Sequence, residues 1–221
     1  VAGAKTACIV QEVSNDYSVG LAKFFTDTFK QLTGNEKCIL SVVNYNTGDQ
    51  DFTAQLTTIK SLKPDVIFAP GNYTESALVM KQARELGIDV PFLGGDTWET
   101  PEFIDVGKAL VEGATFSTFY ATEGATSEIA KKFLAAYTAK YGKNPAAVTA
   151  LGFDGYLVAL DAITRADSLD TVKIRDAIAA TSGFEGAAGT ITLDANGDAT
   201  KSAFIKTVKD GAFSYVTVVK P

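Results

Sequence analysis

The chain has no histidine. That removes the commonest general base and the commonest metal ligand together. Serine–histidine, cysteine–histidine and histidine–zinc sites are excluded in their usual forms. Cysteine is nearly absent too: Cys8 and Cys38 lie about thirty residues apart, with no CxxC spacing. Both fall in strands expected to be neighbours, where a bridge would strain disulfide geometry, so buried thiols are expected. There is no run of about 18 apolar residues, so no membrane insertion is expected. No signal peptide is visible at Val1, so the chain reads as cytosolic or already processed. The net charge of −6 lacks the basic surface that phosphate binding needs, which argues against nucleic acid as a partner. Gly94-Gly95 and the glycines of 183–189 form neither GxGxxG nor a P-loop, so nucleotide binding has no support. Asp194, Asn196 and Asp198 start like a calcium loop, but glycine comes at the fourth position instead of the sixth and no glutamate closes it; a hairpin-like turn fits better. No cofactor and no metal are expected.

What is there is a core. Apolar residues make up 46% of the 221 and charged residues 21%, enough for one large domain or two small ones. One event repeats: an apolar strand ends and drops a polar loop before a helix. It occurs at Ala7-Cys8-Ile9-Val10 before Ser14 to Ser18, at Val66-Ile67-Phe68-Ala69 before Gly71 to Glu75, and at Val90-Pro91-Phe92-Leu93 before Gly94 to Trp98. In a parallel α/β sheet those loops share one rim, where open sheets bind ligands. The spacing predicts strands at 6–12, 38–45, 65–69, 90–93 and 114–120. Helices are predicted at 19–32, 52–62, 74–86 and 101–106, with Leu21, Phe24, Phe25, Thr28 and Leu32 on one face of the first. Such alternation implies a doubly wound sheet of order 2-1-3-4-5.

After Tyr120 the pattern changes. Helices are predicted at 127–141, 147–166 and 171–181 with no buried parallel strand between them, then strands at 189–193, 203–209 and 213–219, the last two joined by an Asp210-Gly211 turn. The apolar faces of these helices (Val148, Leu151, Tyr156, Val158, Leu160) exceed the sheet available to cover them.

Several short pieces, in this order over essentially the whole chain, carry a resemblance. They are Asn15-Asp16-Tyr17-Ser18-Val19-Gly20, then Lys63-Pro64-Asp65-Val66-Ile67 leading into Gly71-Asn72-Tyr73, and Gln82-Ala83-Arg84-Glu85-Leu86-Gly87-Ile88. Phe92-Leu93-Gly94-Gly95-Asp96, Phe133 with Tyr137 and Tyr141-Gly142, and Gly152-Phe153-Asp154-Gly155-Tyr156 follow. Phe184-Glu185-Gly186, Gly189-Thr190-Ile191 and Asn196-Gly197-Asp198 complete the set. Together they resemble the type I periplasmic solute-binding proteins of ABC transporters, in the leucine/isoleucine/valine-binding branch.

The resemblance implies an α/β, periplasmic-binding-protein-like fold. Residues 1–121 and 202–221 would form one complete doubly wound lobe and 122–201 the remaining part of another, the chain lacking the N-terminal third of a typical member. It implies a non-enzymatic, periplasmic or extracellular component of an importer, from a secreted or lipid-anchored precursor, that captures a free amino acid between two lobes and hands it to an ABC permease. A branched-chain amino acid is the expected ligand. Self-association through the incomplete lobe is a further expectation. By position, Asp96 matches the acid that accepts the ligand's α-ammonium, Tyr17 the aromatic of the first loop, and Asn72 with Tyr73 the third-strand loop; Trp98 would wall the side-chain pocket. Plainer readings stand beside these. Asp96 can cap the following helix, Tyr17 can be surface packing, Thr74 can be an N-cap or part of a glycosylation sequon with Asn72, and Trp98 can be core. A sensor or receptor domain would share the pocket, and an α/β enzyme with Asp96 or Asp16 as base would rest on fold alone.

Overall fold

The computed structural model describes residues 3–220. Its contacts divide the chain into two compact units, Val1–Ser117 with Lys206–Ser214, and Thr118–Ile205 with Tyr215–Pro221.

In the first unit, strands β1 (Ala7–Glu12), β2 (Ile39–Tyr45), β3 (Val66–Phe68), β4 (Phe92–Gly94) and β5 (Thr115–Thr118) alternate with helices α1 (Asp16–Thr33), α2 (Thr53–Leu62), α3 (Tyr73–Glu85) and α4 (Pro101–Gly107). Each neighbouring pair among these strands is parallel, in the order β2-β1-β3-β4-β5, as the spacing predicts. Successive residues of β1 face opposite sides. Cys8 and Val10 join a core with Leu56 and Ile59 of α2 and Val79 and Met80 of α3. Ile9 packs with Ala22, Leu21 and Phe25 of α1. Both faces are covered, which is why β1 reads as an unbroken apolar run instead of an alternating one. Each large side chain sealed in this way contributes about 1.5–3 kcal/mol. Both cysteines are free and buried, and burial pushes the Cys8 thiol up to about 11.

α1 starts three residues before the predicted Val19, because the Asn15 side chain accepts from the Tyr17 amide and caps it. Of its expected inward face, Leu21 and Phe25 pack together with Ala22, whereas Phe24 and Leu32 are 70% and 79% exposed. Further along, Arg84 donates to the Ile88 and Val90 carbonyls and lies 5.4 Å over the Phe92 ring, fixing the turn into β4.

The chain returns through β9 (Ala203–Lys209) and β10 (Ala212–Val219), which extend the sheet beyond β5. Asp210 and Gly211 both take positive φ (53° and 69°), the requirement of a type I′ hairpin turn. Lys206 pairs with Glu99 where both side chains are largely buried.

The second unit holds α5 (Glu128–Tyr141), α6 (Ala147–Ala166) and α7 (Thr171–Ala179). It also carries a small antiparallel sheet of β6 (Phe184–Gly186), β7 (Gly189–Leu193) and β8 (Ala199–Thr200), of which the sequence showed only β7. Asp154, buried in mid-α6, accepts from the Ala187 and Ala188 amides and so fastens the β6–β7 turn to the helix. Asp194 accepts from the Asn196 and Asp198 amides, the turn expected there. The outer face of α6 is open: Val148 is 72% exposed and Tyr156 65%. The expectation that no segment is long and apolar enough to cross a membrane needs correction. By length and composition α6 is such a helix, with a mean hydropathy of 1.3 over the window. A window count of apolar residues misses it because Asp154, Asp161 and Arg165 interrupt the run. Asp154 at its centre is already bonded to protein amides.

A polar rim and its relatives

The carboxyl ends of β1, β3 and β4 carry the loops that the sequence singled out. At the first, Asn15 caps α1 through Tyr17, whose ring reaches across to the fourth-strand loop. There the Tyr17 hydroxyl donates to Asp96 Oδ1 at 2.8 Å, across 79 residues of sequence. Gly95 makes that approach feasible, since a Cβ on it would lie 2.2 Å from the Tyr17 hydroxyl. Asp96 is the first residue of a one-turn 3-10 helix, Asp96–Trp98, capped by Gly95. It is therefore no N-cap, and its carboxylate is left for Tyr17. Next to it, the Thr97 hydroxyl donates to the Gly71 carbonyl at 2.9 Å, tying the fourth-strand loop to the third.

Asn72 closes the rim from the other side. It sits at the N-cap of α3, yet its side chain caps nothing there. Its backbone N–H goes instead to Glu12 Oε2 at 3.3 Å, with the Nδ2 group alongside. Tyr73 follows it, partly buried against the main core. Trp98 is not at the rim. It is fully enclosed, stacked on Phe103 at 4.8 Å, and a Cβ on Gly94 would collide with its ring. The expected pocket wall is a core residue that supports the loop from below.

Glu12 was not singled out in the sequence. It is the last residue of β1, 0% exposed, and its two oxygens take donors from three loops. Asn15 Nδ2 reaches Oε2 at 3.3 Å beside Asn72, and the Thr47 hydroxyl of the second-strand loop donates to Oε1. A second buried acid, Glu75, accepts from the Gly48 amide at 2.9 Å. The only hint in the sequence is a charge at the end of an apolar strand.

The rim is thus acidic, and the groups around it respond. Burial, then the charge of Asp96, push the Tyr17 phenol above its ordinary range, so it stays a neutral donor. Burial raises Tyr45 as well, followed by the Glu12 and Glu75 charges, and its hydroxyl has no hydrogen-bond partner. A rigid carboxylate with one oxygen held by a neutral phenol is an acceptor for a cationic donor such as an ammonium group. Among the described residues, no cluster could hold a metal ion.

The raised phenols give a stability signature. A folded-state pKa above the unfolded value of about 10 contributes stability that is complete below that pH and lost as pH rises through the folded value. Urea titrations should show stability falling from about pH 10 upwards, and Tyr17→Phe should make that fall shallower. An unchanged slope in the variant would contradict the assignment to Tyr17.

The chain is similar to known proteins over nearly its whole length. The family model described as periplasmic binding protein matches residues 1–212. The crystal structure of a leucine-binding protein, LivK, from Thermotoga maritima is 45% identical with a TM-score of 0.91, covering 99% of this chain and 61% of that one. The branched-chain amino acid transporter substrate-binding protein LivJ from Streptococcus pneumoniae, solved with isoleucine, is 33% identical with a TM-score of 0.83 and the same coverage. The Leu/Ile/Val-binding protein homolog 2 of Brucella abortus is 27% identical over 207 residues, 90% of this chain and 53% of that protein. The chain therefore spans about half the length of the curated relatives it matches. These relatives are named as binding proteins, not enzymes.

Proposed function

We propose, for a chain that belongs to the periplasmic binding protein family, that its rim is the half of an amino-acid site that receives the α-ammonium group. The observation that carries this is the Tyr17–Asp96 pair, a carboxylate held in place by a neutral hydroxyl. Asp96 accepts the ammonium through its second oxygen, a charge-assisted hydrogen bond stronger than a neutral one. Tyr17, Asn72 and Tyr73 border the ligand, and Trp98 supports the loop. Isoleucine bound to the Streptococcus pneumoniae relative favours a branched-chain ligand. The whole protein is then the substrate-binding component of an ABC importer, outside the cytoplasmic membrane and working with an ABC permease. Residues 1–121 and 202–221 form one lobe, 122–201 part of the other, and the remainder corresponds to what the relatives have beyond the matched 61%.

Donors for the ligand's carboxylate would lie in that remainder. An unmatched carboxylate is costly to desolvate, so this chain alone binds weakly. Amide NMR with millimolar L-leucine should shift residues 15–17, 71–73 and 95–97, whereas 4-methylpentanoate, which lacks the ammonium, should not. Asp96→Ala should abolish the response while leaving the rest of the spectrum in place. Equal shifts from both compounds would refute the ammonium assignment.

The open face of the second unit adds an association surface. Val148, Tyr156 and Leu160 project from α6, and Phe133, Tyr137, Tyr141 and Phe153 line a hollow of about 610 Å³ beside it. An apolar patch of this kind marks an interface or an aggregation site, and a second copy is the occupant always at hand. Light scattering should show oligomers that Tyr156→Lys reduces; a clean monomer at all concentrations would contradict this.

A further inference from the structure

The hydrogen bonds of the rim form a closed ring. Glu12 Oε2 accepts from Asn15 Nδ2, and the Asn15 Oδ1 atom accepts from the Tyr17 amide at 3.0 Å. Tyr17 donates to Asp96, the adjacent Thr97 donates to the Gly71 carbonyl, and the amide of Asn72, next in chain, returns to Glu12 Oε2. Thr47 attaches the second-strand loop to the same carboxylate, and Ser14 ties that loop back to the first by accepting from the Thr47 amide at 3.0 Å. Three loops therefore share one anchor, and the fourth is tied to them through Thr97 and Asp96.

A fully buried carboxylate is costly unless it is hydrogen-bonded. No salt bridge to Glu12 occurs among the described residues, so its charge is met by hydrogen-bond donors of the loops alone. Those donors cannot drift without leaving the charge bare, and the loops are locked by the same need. Apolar packing at this position would fill the space and leave the loops unfixed.

We propose that Glu12 is the positioning residue of the rim, holding Tyr17 and Asp96 in register for the ligand's ammonium through this ring. The proposal rests on the amino-acid reading above but is tested separately from it. Three variants divide its parts. Glu12→Met keeps the length and removes every acceptor. Glu12→Gln can present its carbonyl oxygen to Asn15 and Asn72 and its amide to Thr47, whose hydroxyl can turn from donor to acceptor. Asn15→Ser keeps a good helix cap but cuts the link from α1 to Glu12.

Native-state hydrogen exchange gives the ligand-free readout. In Glu12→Met the amides of Tyr17 and Asn72 should exchange about tenfold faster, with the Ile67 amide of the core, bonded to the Pro91 carbonyl, unchanged. Glu12→Gln should restore most of the protection. Acceleration spread evenly over rim and core would mean that Glu12 serves global stability only, and would overturn the proposal. In the L-leucine titration, folded Glu12→Met should bind about tenfold more weakly than wild type, with Glu12→Gln recovering most of the loss. Wild-type affinity in Glu12→Met would also overturn it. If Glu12→Met does not fold, Asn15→Ser decides: weaker L-leucine binding with faster exchange at Asn72 is expected, and no change in either rejects the ring. If wild type gives no response to L-leucine, the amino-acid reading fails, and the exchange pattern still decides the role of Glu12.

Discussion

A carboxylate sealed from water must be solvated by the protein that seals it, and Glu12 sets that condition for the whole rim. It stands at the end of β1, opposite Tyr45 in the parallel register with β2. The donors that meet it come from residues 15, 47 and 72, so three loops are drawn to a single point. The fourth arrives through Thr97 and Tyr17. Hydrogen bonds to a charged group are each worth about 1.5–3 kcal/mol net, and breaking any of those to Glu12 leaves a buried charge short of a partner, which makes the arrangement rigid. Small residues permit it: a Cβ at Gly71 would strike the Tyr45 hydroxyl, and one at Gly95 would displace Tyr17.

The scaffold below is ordinary α/β packing, and it was largely legible in the sequence. Apolar runs bounded by polar loops give the strands, and their alternation with helices gives the parallel order. The errors have physical causes. Phe24 and Leu32 match a helical period, but the small residues Ser18 and Ala22 are the ones buried as α1 lies close to the sheet. Trp98 follows a rim glycine in sequence, yet the 3-10 turn folds it back under the strand into the aromatic stack with Phe103. In the second unit, β6 and β8 are too short to leave a periodic signal.

The candidate site was legible by position more than by partner. Tyr17, Asn72 and Asp96 all follow strand ends, and the structure links them as one network. Glu12 escaped notice because a charge at a strand terminus normally faces water. Its burial depends on donors 35 and 60 residues away, which no local pattern shows. The proposed ligand class rests on the same chemistry: a fixed carboxylate beside a neutral phenol suits a cationic donor, which the proposal reads as the ammonium of an amino acid.

The most direct measurement is a crystal structure of the chain soaked with L-leucine. The ammonium nitrogen should lie about 2.7–2.9 Å from Asp96 Oδ2, with the Tyr17–Asp96 bond intact and Glu12 still bonded to Asn15 and Asn72. Leucine seated away from Asp96, or a ligand that displaces Tyr17 from it, would contradict the central claim.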